Sequence, residues 1–91
     1  MEKLDMYRKS LDEIDEKIIE LYEKRMNIVK LISRYKEEHN FPTHDQNREN
    51  SMLEKNLNKI KNEEYKKYYK SVLNGFLEAS KAMQDDIKSE K

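Results

Sequence analysis

Residues 4–35 read LDMYRKSLDEIDEKIIELYEKRMNIVKLISRY. Every third and fourth position in this stretch forms one series: Leu4, Tyr7, Leu11, Ile14, Ile18, Leu21, Arg25, Ile28, Ile32 and Tyr35. The spacing alternates three and four without a break, the heptad pattern of a helix that packs lengthwise against another helix. No Gly or Pro precedes Pro42, so the pattern predicts one continuous helix. A single member of the seam is not apolar, and it is Arg25. A guanidinium among apolar side chains is costly unless an anion meets it.

The length of this helix carries a second expectation. From Leu4 to Asn40 it would run roughly 55 Å at 1.5 Å per residue. A compact domain of this size is only about 30 Å across. The helix therefore outruns any globule its own chain can build, and the apolar seam on its projecting half stays wet. A second copy of the chain is the simplest cover, which predicts a homodimer.

Outward from the seam, the chain divides into three helices. The first starts between Glu2 and Ser10, where Ser10 with Glu13 has capping-box spacing, but the seam favours the earlier start. Its end is expected near His39 or Asn40, because Pro42 disfavours helical geometry at Phe41. A short turn over residues 40–44 follows, and Thr43 with Gln46, or Asp45 alone, can cap a second helix. That helix is expected from Gln46 to Ile60, with Met52, Leu53, Leu57 and Ile60 on one narrow face. Asn62 marks a break. A third helix is expected from Glu63 to Lys88. Tyr65, Tyr69, Val72, Phe76, Met83 and Ile87 line one side, with Tyr68, Leu73 and Leu77 beside them. Asn74-Gly75 would signal a hairpin between strands, but the helical period continues on both sides, so the helix is expected to run through it.

Composition fits one all-α domain over residues 1–91. Charged residues make up 42% of the chain, with one Gly and one Pro, the profile of long solvated helices. Lys+Arg and Asp+Glu both number 19, so no net field draws in nucleic acid or an anionic membrane. No apolar run is long enough to span a bilayer, and the charged N-terminus does not read as a signal peptide. A cytoplasmic protein is expected. The absence of Cys excludes disulfides and thiol chemistry. The four Arg, at 8, 25, 34 and 48, stand out among 15 Lys, because Arg suits fixed, bidentate contact with anions.

The candidate site residues are polar groups in apolar places. Arg25 and Lys36 lie eleven residues apart, close to three turns, and face the same way. Arg8 precedes Arg25 by 17 residues, roughly 25 Å along the axis, so it reaches the same pocket only from another subunit. Arg48 and Glu49 open the second helix. Ser80 and Gln84 continue the stripe of Leu73 and Leu77, where apolar residues would be expected. Read separately, each has an ordinary structural explanation: a register-setting Arg, surface charges, a satisfied core network. Read together, cationic and amide donors with one acid converge on a small anion. His39 and His44 flank a turn and lack the further ligands a metal site needs, so no metal is expected. There is no Gly-rich phosphate loop and no persuasive Ser-His-Asp arrangement.

The pattern resembles the all-α, AroQ-type chorismate mutases. The likeness rests on LDEIDEKIIELYEKR over residues 11–25, ISRYK over 32–36, Pro42, DQNRE over 45–49 and EASKAMQ over 78–84. It covers nearly the whole chain. The resemblance implies an intertwined homodimer of three-helix chains with two active sites, converting chorismate to prephenate in aromatic amino-acid biosynthesis. The reaction is pericyclic and uses no cofactor. By resemblance, Arg25 and Arg8 from the second copy clamp two carboxylates, and Lys36 and Gln84 donate to the ether oxygen. Glu49, with the backbone near Asp45, holds the ring hydroxyl. Arg48 and Ser80 complete the polar wall, and Ile32 and Leu77 form an apolar lining. A stand-alone form is expected, without a fused dehydratase, dehydrogenase or regulatory domain. Two alternatives stand beside this one. Isochorismate-pyruvate lyases resemble the same fold and use a similar cationic pocket, and a non-catalytic helical dimerisation module would share the seam.

Overall fold

The computed structural model describes residues 2–90. Within them lie three helices and no strand: α1 (Glu2–Glu38), α2 (Gln46–Leu57) and α3 (Glu63–Ser89). The fold is all-α, as the periodicity predicts. The Cα radius of gyration is 16.7 Å and the principal extents are 55 × 27 × 15 Å. A compact chain of this length would have a radius near 12 Å. The long dimension is α1 itself.

Each helix boundary has a local cause. Helix α1 starts at the early end of its expected range. At its other end Asn40 adopts a left-handed φ of 57°. The Phe41 N–H then donates to the Lys36 carbonyl (2.9 Å) and the Asn40 N–H to that of Glu37 (3.5 Å). This is a Schellman stop with Asn in the left-handed position, and the Tyr35 and Phe41 rings, 5.9 Å apart, supply its apolar contact. Pro42 follows, but Asn40 ends the helix. Of the two caps open to α2, the chain uses Asp45, whose carboxylate accepts from the Arg48 N–H at 3.0 Å. Helix α2 stops at Leu57, three residues before the expected Ile60. There the Lys59 and Ile60 N–H groups bond to the carbonyls of Asn56 and Leu57 instead, three residues back. Asn62 caps α3 through the Glu64 N–H at 3.0 Å. The helix runs unbroken past Asn74-Gly75.

Helix α3 packs against both α1 and α2. Among the described residues the buried ones are few: Val29 and Ser33 on α1, Leu73 and Ser80 on α3. All nine apolar members of the α1 seam, from Leu4 to Tyr35, remain exposed. The seam was expected to stay wet only on the projecting half. Its apolar members are wet along the whole length, because the face of α1 that is buried is a neighbouring stripe centred on Val29 and Ser33, with the seam's own Arg25 half-buried at its edge. That stripe is short and partly polar, so it escapes a reading tuned to long apolar series. Ser33 fits it because its hydroxyl donates back to the Val29 carbonyl at 2.8 Å, satisfying the one polar group that burial would penalise.

Candidate active site

The same side of α1 borders a space between the helices. It forms one wall of a cavity of about 360 Å³. Arg25, Val29, Ile32 and Lys36 come from α1; Thr43, His44 and Asp45 from the connection. Arg48, Glu49 and Met52 come from α2, and Leu77, Ser80, Lys81 and Gln84 from α3. Nine of the ten residues singled out from the sequence therefore border one space. Arg8 does not. It is exposed on the N-terminal part of α1, outside the cavity lining.

The polar groups are held at defined positions. Arg25 Nη1 donates to Ser80 Oγ, and Ser80 Oγ donates on to the Phe76 carbonyl at 2.8 Å. The Arg25 guanidinium also lies 5.5 Å from the centre of the Phe76 ring, a cation–π placement that fixes the plane of the fork. The buried Ser80 thus orients the seam arginine. Lys36 Nζ donates to the Thr43 carbonyl at 3.1 Å, which ties the last turn of α1 to the connection. Glu49 is mostly buried, with 14% of its side chain exposed, and pairs with Lys81 Nζ at 2.8 Å. His44 Nε2 lies 3.0 Å from Asp85 Oδ1, fastening the connection to α3. Gln84 has a buried Oε1 with no hydrogen-bond partner. An amide in that state is one group short of satisfaction.

Cationic side chains outnumber acidic ones on the lining: Arg25, Lys36, Arg48 and Lys81 against Asp45 and Glu49. Both acids are engaged, Asp45 as the α2 cap and Glu49 with Lys81. The arrangement suits a small anion with an apolar ring lying against Ile32, Val29 and Leu77. Among the described residues, no three His, Cys, Asp or Glu side chains are gathered as metal ligands. No described helix is long and apolar enough to cross a membrane.

Sequence reasoning missed Val29, Met52, Thr43 and Lys81 on the lining and gave His44 no part in it. Thr43 takes part through its carbonyl, which no side-chain pattern reveals. Lys81 is one lysine among 15, and its position beside Ser80 was the only available signal.

Three helices gathered around one cationic cavity, with an overlong helix projecting from it, define an all-α protein with a candidate site between its helices. The chain belongs to the chorismate mutase type II family, whose model matches residues 7–85. That span contains all ten residues singled out from the sequence, Arg8 included. A solved structure from Pyrococcus furiosus, described as a conserved hypothetical protein, is 32% identical. The match covers 90% of this chain and 95% of that one, with a TM-score of 0.74. No curated protein matches the chain.

Proposed function

We propose that this chain is a chorismate mutase that rearranges chorismate to prephenate in the α1–α2–α3 cavity, with Arg8 supplied by a second copy of the chain. The observation that carries the reading is the convergence of Arg25, Lys36, Arg48, Glu49, Ser80 and Gln84 on one cationic space. Family membership supplies the reaction class.

The reaction breaks an ether C–O bond as a C–C bond forms, in one cyclic electron shift. It needs no external acid, base or nucleophile. The protein's work is to hold the substrate in its reactive, folded conformer and to stabilise charge that grows on the ether oxygen. Arg25, oriented by Ser80 and Phe76, clamps one carboxylate and Arg8 from the second copy the other. Lys36 is tied to the Thr43 carbonyl and keeps two further N–H donors, one of which serves the ether oxygen. Gln84 serves it too: a half-turn of its amide exchanges oxygen for NH₂ at the buried position. Glu49 and the backbone near Asp45 take the ring hydroxyl. Arg48 completes the polar wall, and Ile32 and Leu77 pack on the ring. The site works in a cytoplasmic homodimer and uses no cofactor.

The test is a chorismate disappearance assay on the purified chain without added metal or cofactor, with prephenate identified as product. Failure to consume chorismate would overturn the reading. Formation of salicylate and pyruvate from isochorismate, with chorismate untouched, would reassign the cavity to the related lyase reaction.

A further inference from the structure

We infer that Lys81 is a positioning residue for the ring hydroxyl, acting by holding Glu49 in place; the inference rests on the chorismate mutase reading above. Lys81 Nζ lies 2.8 Å from Glu49 Oε1, with 39% and 14% of the two side chains exposed. The pair joins α2 to α3. It also stands between two spaces, since both residues line the candidate cavity and a second cleft of about 250 Å³ that includes Asn50 and Asn74. A glutamate with rotatable bonds can face either space. Its pairing with a cation on α3 limits it to the wall.

The chemistry explains why that restraint matters. A carboxylate has two oxygens and about four acceptor positions. Oε1 is taken by Lys81, which leaves Oε2 to accept a hydrogen bond from a hydroxyl in the cavity. Elsewhere the lining is rich in cationic donors, and Glu49 is the acid left to discriminate a hydroxyl from bare ring. Without Lys81, Glu49 would be free to turn toward Arg48, Lys36 or the second cleft, and the hydroxyl would lose an oriented acceptor. Lys81 follows the buried Ser80 directly and precedes Gln84 by three residues. One stretch of α3 thus places the support for Arg25, the support for Glu49 and the amide.

The test compares two substrates in each variant: chorismate and an analogue lacking the ring hydroxyl. Lys81→Met keeps the aliphatic stem and removes the charge. The expected result is a loss of about tenfold in kcat/KM for chorismate, within the worth of a hydrogen bond to a charged group, and little change for the analogue. Lys81→Arg should restore the wild-type preference. The ratio of the two kcat/KM values within one sample is independent of the fraction folded, so a poorly folding variant still reports. An equal loss for both substrates, or an unchanged ratio in Lys81→Met, would overturn the assignment in an active enzyme. No turnover of chorismate by the wild type would overturn the parent reading, and this assignment with it.

Discussion

An amide keeps its hydrogen-bonding character at any ordinary pH, and Gln84 brings one to the cavity with Oε1 buried and unpaired. If its NH₂ serves the ether oxygen, the wild-type rate needs no titrating group there. Gln84→Glu is nearly isosteric and changes that. The new carboxyl donates only when protonated; ionised, it sets negative charge against an oxygen gaining negative charge. Activity should therefore be present in acid and fall as pH rises through the pKa of the new acid. The reference value is about 4.3, burial raises it, and the lining cations Lys36 and Arg25 lower it. Rates from about pH 3.5 to 8 span the reference value and a shift either way. A flat profile at near wild-type activity would remove Gln84 from the reacting oxygen. At this scale, the sequence revealed residues that broke a pattern. Arg25 is a charge in an apolar seam, and Ser80 and Gln84 are polar where Leu73 and Leu77 set an apolar stripe. Lys81 breaks no pattern, because a lysine on a helix edge is ordinary, and its role emerges only from the 2.8 Å contact with Glu49.

Helix existence follows from periodicity, but helix ends follow from backbone geometry that periodicity does not encode. Pro42 was the visible stop signal for α1, whereas Asn40 performs the stop through a φ of 57°. The early end of α2 was hidden for the same reason: Ile60 continues the apolar face after the α-helical bonds have ceased. These differences make opposite predictions at two positions. A β-branched side chain is disfavoured in the left-handed region, so Asn40→Val should cost about 1–2 kcal/mol. Gly75 lies inside α3, and an added Cβ there meets nothing within 4 Å. Gly75→Ala should stabilise by about 1 kcal/mol, since Gly is the poorer helix former. Each kcal/mol corresponds to roughly 4–8 °C in a domain of this size. Thermal unfolding of both variants checks the pair, and a destabilising Gly75→Ala would mean that another surface closes on that face of α3.

The whole molecule presents an imbalance that one chain does not resolve. Nine apolar side chains of the α1 seam are exposed over a helix that spans the 55 Å length of the chain. Fully burying a large apolar side chain is worth about 1.5–3 kcal/mol, so a second seam laid along the first has a large gain available. An antiparallel pairing of two α1 helices also carries Arg8 of each copy toward the cavity of the other, roughly 25 Å from its own Arg25. On the proposed function, stability and catalysis would then have one cause, since covering the seam would bring Arg8 to the neighbouring cavity. Two measurements follow. Sedimentation at micromolar concentration should find a dimer, and a folded, active monomer would contradict it. The sharper test mixes an Arg8→Ala chain with an Arg25→Ala chain, each inactive alone, and refolds them together. In a mixed dimer one shared site receives both substitutions and the other receives neither. Random pairing makes half the dimers mixed, so about a quarter of wild-type activity should return. Were Arg8 to act within its own chain, each site of a mixed dimer would carry one substitution and no activity would return.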